Sequence, residues 1–272
     1  MPPERPRPTR LKTTFFEKVW GSTGLGPWFP KPGKKIGEVW FTAEQQLPLP
    51  VLVKFLFTSD KLSVQVHPGG PQGKTEMWHI LRAEPGAQIA LGFHKPVSRE
   101  RLREAAHAGE IERLLHWFPV SAGETYFTPA RTVHAIGGGI ALCEIQQYSD
   151  VTYRLYDYGR PRELHLDQAV AISDLGDHPG ASRAAALPGG RKSLVRCEYF
   201  ETQLIEWAAP GQSTEIEGWA LLIFIAGSGK LFGEVFRMGE VWQLPVGAWR
   251  LDAGSTPVRA LRVIAPGGEV EC

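Results

Sequence analysis

Between residues 38 and 156 the chain is cut into short segments by Gly- and Pro-bearing turns, and this punctuation constrains the fold more than any other feature. Segments 38–42, 51–57, 62–67, 76–82 and 88–92 read as strands, and the pattern resumes at 124–127, 131–136, 140–147 and 151–156. Strands this short predict a mainly β chain folded as an antiparallel barrel or sandwich. Ser98 to Trp117 interrupts them and reads as helix. Ser98 is placed to cap it, Leu102, Ala105, Ala106, Ile111, Leu114 and Leu115 form apolar stripes, and Gly109 divides it into two short helices. Residues 164–172 fit a further short helix.

The ends of the chain differ from its middle. Residues 1–10 are basic and Pro-rich with no apolar segment behind them, which reads as a flexible tail rather than a signal peptide. Residues 176–192 are rich in Gly, Pro and small residues and read as a linker. Beyond them, 193–272 is strand-like again, but no histidine follows His178, so a histidine-based metal site cannot recur there. A net charge of +1 gives no electrostatic case for nucleic acid or an anionic membrane surface. The longest apolar run, Trp219 to Ala226, is too short to span a bilayer. Cys143, Cys197 and Cys272 form no CxxC, which argues for a reducing, cytoplasmic setting and against a cysteine zinc site.

Residues 62–67 alternate strictly. Leu62, Val64 and Val66 share one face, and Ser63, Gln65 and His67 the other. The ordinary reading of such a strand is an edge with a solvated face; the alternative is that the polar face lines a site. Gln65 and His67 point the same way and can share one ion, and Glu76 opens the next strand as a possible third ligand. His134 lies in the strand 131–136 that runs into a glycine turn, where a lone histidine is more often structural than a ligand, whereas His79 is out of phase with Glu76. Gln65, His67, Glu76 and His134 together offer two imidazoles, a carboxylate and an amide without a thiolate. Such a set suits one borderline or hard divalent ion, zinc favoured, with iron, cobalt or manganese as alternatives. Lys54, in an apolar strand, either snorkels from the strand end or meets an anion inside the fold, and its mid-strand position favours the anion. Arg154, Tyr156 and Tyr158 share a strand face that suits a hydroxyl-rich or anionic ligand, or else forms an Arg–Asp surface pair beside aromatic packing.

The blocks VWGSTGL, KIGEVWFT, LVKFLFTSDKLSVQVHP, GKTEMWHIL, TVHAIGGGIALCEIQQYSDVTYRLYDYGR and RELHLDQA occur in this order over residues 11–175. They resemble the type I mannose-6-phosphate isomerases (phosphomannose isomerases) in their short bacterial form. The resemblance implies a cupin jelly roll over 11–175 that binds the metal, with a helical insert at 98–117, and a smaller, metal-free β lobe over 193–272. It implies a zinc-dependent intramolecular oxidoreductase that interconverts mannose 6-phosphate and fructose 6-phosphate through a cis-enediol. By motif, Gln65, His67, Glu76 and His134 match the family's zinc ligands and Arg154 its active-site arginine. Lys54, Ser63 and Lys74 match positions that contact the sugar phosphate. For the base, a Lys74 of depressed pKa and a metal-bound water compete equally. The acidic pair that commonly follows HP is Gly69-Gly70 here, and the loop up to GKTE is shortened. That loop borders the pocket, so the departure bears on substrate range rather than on the metal. A non-catalytic cupin that binds a sugar phosphate, or an isomerase of another phosphorylated sugar, are the competing readings.

Overall fold

The computed structural model describes residues 6–43, 49–209 and 211–265. Strand Val51–Phe57 is buried along its whole length, and its alternation explains how. Val51, Val53, Phe55 and Phe57 enter one apolar cluster, while Leu56 enters a second on the opposite face. A strand buried on both faces must lie inside a stack of sheets.

That strand is third in a six-stranded antiparallel sheet ordered Lys12–Ser22, Ile36–Thr42, Val51–Phe57, Ile140–Gln147, Glu76–Ala83, Thr125–Thr128. Facing it is a five-stranded sheet ordered Tyr153–Tyr156, Val64–Val66, His134–Ile136, Gln88–Phe93, Leu115–Pro119. Between the two lie Trp20, Leu56, Trp78, Ile80, Ile89, Leu91, Ile136 and Leu142. This is a jelly roll of the cupin kind. Its outer, five-stranded face is covered by helices Arg99–His107 and Leu166–Ile172, which pack Leu102, Ala105, Ala106, Ala169 and Val170 onto Val64, Val66, Ala90, Val133 and Ala135.

Ser98 caps the first helix, its Oγ accepting from Arg101 N at 3.1 Å. The helical reading of 98–117 does not hold throughout. Gly109, at φ 70°, turns the chain, Ile111–Arg113 makes one 3₁₀ turn, and Leu115–Pro119 pairs with Gln88–Phe93. Strand pairing prevails there over helical periodicity.

Behind the six-stranded sheet stands a seven-stranded one that includes Glu201–Trp207, Ala220–Ala226, Val241–Leu244 and Val258–Ile264. Leu204, Leu221, Ile223, Leu261 and Val263 share a single core with Val39, Phe41, Phe55, Phe57 and Ile145. A four-stranded sheet closes the far side of this second lobe over Trp207, Phe224, Phe236 and Trp249.

Two segments read as loose from the sequence are tied down where they are described. Thr9 and Arg10 pair with Gln243 and Trp242; residues 1–5 of the expected tail lie outside the described residues. Residues 176–192 run between the lobes, with Gly176 O accepting from Phe93 N, Ser182 N donating to Thr125 O, and Ala185–Ala186 joining the seven-stranded sheet.

Candidate active site

Both sheets of the jelly roll contribute to one buried cluster. Gln65 pairs with His134 across neighbouring strands, His67 follows Val66, and Glu76 begins a strand of the opposite sheet. The short Pro68–Thr75 crossing is closed by Gly73 N on Gly70 O and Lys74 N on Pro68 O. Gly73 is required in it, because a Cβ would lie 2.8 Å from three backbone atoms of the same loop.

His67 Nδ1 sits 2.8 Å from Val151 O and His134 Nδ1 2.9 Å from Thr132 O. A carbonyl only accepts, so each Nδ1 carries the proton and each Nε2 keeps its lone pair. The lone pairs converge on Glu76, with His67 Nε2 3.4 Å from Oε1 and His134 Nε2 3.9 Å from Oε2. One donor atom from each of the three residues lies within 4.8 Å of the others. Burial pushes the His134 imidazole down to about 4; burial, then the charge of Lys74, holds His67 well below its usual value. Both rings are therefore neutral at neutral pH.

No neutral donor reaches either Glu76 oxygen, although the residue is 1% exposed. A buried carboxylate without donors requires a cation. The ammonium of Lys74 stands in that place, 2.6 Å from Glu76 Oε1 and 3.4 Å from His67 Nε2. Two imidazole lone pairs and a buried carboxylate, with a cation already seated against them, fit a divalent metal ion. Gln65 is poised as a fourth ligand. Its Nε2 is 3.2 Å from His134 Nε2, and its Oε1 accepts from Ser63 Oγ at 3.1 Å. Turning the amide over presents the oxygen instead and lets the nitrogen donate to Ser63.

Against this cluster lies a cavity of about 270 Å³, lined among others by Ser63, Gln65, Lys74, Lys54, Glu144, Arg154 and Arg162. One row of inward side chains crosses four strands as Trp40, Lys54, Glu144 and Trp78. Lys54 Nζ lies 4.3 Å above the Trp40 ring, 3.7 Å from Glu144 Oε1 and 3.3 Å from Asp150 Oδ1. Trp78 Nε1 donates to Glu144 Oε2 at 3.1 Å, and Lys74 Nζ is 3.9 Å from Oε1. Burial and then the charge of Glu76 raise the Glu144 carboxyl, with the two lysines opposing.

Lys74 departs from the sequence expectation of a depressed pKa. Burial pulls its ammonium down, but Glu76 and Glu144 outweigh that and raise it. Arg154 lines the cavity beside Gln65, its register partner, and its Nη1 donates to Glu163 O at 2.6 Å. The tyrosines expected beside it do not line the cavity. The register shifts between Arg154 and Tyr156, so Tyr156 pairs with Val64, which faces the helices, and joins the core beneath them. His79, on the far face of its strand, meets Thr125 Oγ1 at 3.0 Å.

Glu144, Trp78, Asp150 and Arg162 belong to the cavity and were not singled out by sequence reasoning. For Glu144 a signal existed: it follows Ile140 and Leu142 on one face of a wholly buried strand. Its meaning came only from the register that sets it against Lys54.

No family model matches the chain. The mannose-6-phosphate isomerase of Streptococcus mutans is 30% identical over 90% of this chain and 95% of its own length. That of Bacillus subtilis is 31% identical over 88% of this chain and 93% of its own. Among solved structures, a mannose 6-phosphate isomerase from Bacillus subtilis superposes with a TM-score of 0.83 at 26% identity, covering 95% of this chain and all of that one. A zinc-bound mannose 6-phosphate isomerase shares the fold, with a TM-score of 0.74 at 17% identity over 96% of this chain and all of that one.

Proposed function

The chain belongs to the mannose-6-phosphate isomerase family, and from that premise we propose that it interconverts mannose 6-phosphate and fructose 6-phosphate by moving a proton between C1 and C2 of the open-chain sugar. One observation carries the reading: the neutral imidazoles of His67 and His134 and the carboxylate of Glu76 abut a cavity lined by Lys54, Lys74, Arg154 and Arg162. His67, Glu76, His134 and Gln65 would hold one divalent ion, zinc by the chemistry of the donor set. When bound, the ion supplies Lewis acidity toward the sugar oxygens.

The remaining work falls to the chain. Glu144 moves the proton, since burial and the charge of Glu76 raise its carboxyl and so strengthen it as a base, and its Oε1 has no hydrogen-bond donor of its own. Lys54 and Lys74 flank Glu144 and orient hydroxyls, with Ser63 as a neutral donor. Arg154 faces the developing enediolate as a fixed positive charge. Trp20, Leu56, Leu62 and Ile136 form an apolar wall that keeps water from the intermediate. Cys143 and Cys197 as free thiols support a reducing, cytoplasmic setting. No helix of the described residues is long and apolar enough to cross a membrane.

The test is turnover of mannose 6-phosphate with and without a chelator. Activity should vanish on chelation and return with zinc. Absence of turnover with any hexose phosphate by the metal-loaded protein would leave a sugar-phosphate binder instead.

A further inference from the structure

The cations of the cavity are not equally free. Lys54 is engaged by Glu144 and Asp150, Lys74 by Glu76, and Lys18 by Glu38 at 3.1 Å. The lysines that sequence reasoning offered to the phosphate thus already face carboxylates at the deep end. The wall formed by residues 154–162 is different. Arg154 has no carboxylate within ion-pairing distance among the described residues; its recorded hydrogen bond runs to the backbone oxygen of Glu163.

Arg162 shares that wall, and its guanidinium is fixed from behind. Nε donates to Asp157 Oδ2 and Nη2 to Oδ1, both at 2.6 Å, in a two-pronged contact. The Asp157 side chain is 1% exposed. This uses one edge of the guanidinium and leaves Nη1 for the cavity that Arg162 lines. Arg160 also approaches Asp157, at 3.4 Å, but its other donors are spent on Lys61 O and Asp60. A strained turn holds the arrangement: Tyr158 adopts φ 55° and Gly159 φ 76°, bringing Arg160 N to Asp157 O at 3.0 Å. A bulky residue in the left-handed region is strained and persists only where its surroundings enforce it. Both Arg154 and Arg162 thereby line the same cavity.

We infer that Arg162, oriented by the buried carboxylate of Asp157, receives the phosphate of the substrate, and that Asp157 is a positioning residue for phosphate specificity. This rests on the isomerase reading of the cavity. It agrees with the layout of the substrate: Arg154 pairs in register with Gln65 beside the metal cluster, so the sugar's reacting end lies there and its phosphate beyond Arg154. The departures at Gly69-Gly70 lie in the Pro68–Thr75 crossing, outside this wall.

The experiment compares Arg162→Ala, Arg162→Lys and Asp157→Asn as metal-loaded proteins. It reads steady-state kinetics on mannose 6-phosphate and, separately, binding of inorganic phosphate by calorimetry. Loss of one charge-assisted contact corresponds to roughly a 10- to 100-fold weakening. Arg162→Ala should raise KM by that factor with kcat changed little, and should weaken phosphate binding by the same factor. Arg162→Lys should recover part, and Asp157→Asn should fall between them. If Asp157→Asn fails to fold, Asp157→Glu replaces it, keeping the charge but displacing the fork. Unchanged phosphate affinity in Arg162→Ala, or a fall in kcat alone, overturns the assignment. Because phosphate binding is read without turnover, a wild type that binds phosphate through Arg162 yet never isomerises sinks the isomerase reading and spares the anchor.

Discussion

Arg154 and Glu144 differ in the kind of catalysis expected of them, and single substitutions separate the two. Arg154→Ala removes a preorganised positive charge, so kcat and kcat/KM should fall together by at least about a hundredfold while metal content is kept. Arg154→Lys should recover only part, since an ammonium cannot reproduce the planar fork. Glu144→Gln keeps the shape and the Trp78 contact but cannot carry a proton; it should cost roughly 10²–10⁴-fold in kcat with little change in KM. Steady-state kinetics beside elemental analysis decide both, and a Glu144→Gln enzyme with normal turnover would move the proton transfer to another group. At this scale the sequence was most legible where chemistry is local. Gln65 and His67 are two apart, and Glu76 follows within one short crossing, so phase alone gathers three of the cluster. Glu144 was not legible, because its partner Lys54 lies ninety residues earlier and only strand register joins them. Tyr156 was misread because alternation assumes an unbroken strand, and a register shift after Arg154 breaks it.

Between elements, one close fit is where the chain leaving the second helix crosses the end of strand Gln88–Phe93. Gly92 adopts φ 63°, and a Cβ there would lie 2.9 Å from Gly176 O. Phe93 N donates to that same oxygen, so the crossing segment cannot retreat without losing a buried hydrogen bond. Gly92→Ala should therefore destabilise the protein by about 1–3 kcal/mol and open residues 174–182 to protease. Thermal melting with limited proteolysis checks this; an unchanged melting temperature would mean that the crossing segment adjusts freely. The strands themselves were readable from turn residues and alternation. The segment 176–192 was not, because small residues, Gly and Pro describe a free linker and a strap bonded at intervals equally well.

The two lobes meet through one apolar core, and this is the least legible level. Val51, Val53, Phe55 and Phe57 announce burial on one face of their strand, but nothing local says that Leu221 and Leu261 cover them. One titratable group records the junction. His79 is buried on that side of the sheet, and burial, then the charge of Arg259 in the second lobe, pushes it down to about 4 from 6.5. Between these values the unfolded chain binds the proton more readily than the folded one. Stability is thus full above about pH 6.5 and declines toward pH 4, by up to about 1.4 kcal/mol per pH unit. In metal-loaded protein, His79→Gln should flatten the fall in melting temperature from pH 7 to pH 5; an unaltered slope would place the acid sensitivity elsewhere. The pairing of Thr9 and Arg10 with Gln243 and Trp242 has a consequence in time as well as in space. On a ribosome the first described strand emerges when its partner does not yet exist. At about 5–20 residues per second it must wait roughly 10–50 s before the edge it completes is made. Until then Thr9 and Arg10 are an unpaired edge, so newborn chains carry an open seam that the finished enzyme has closed.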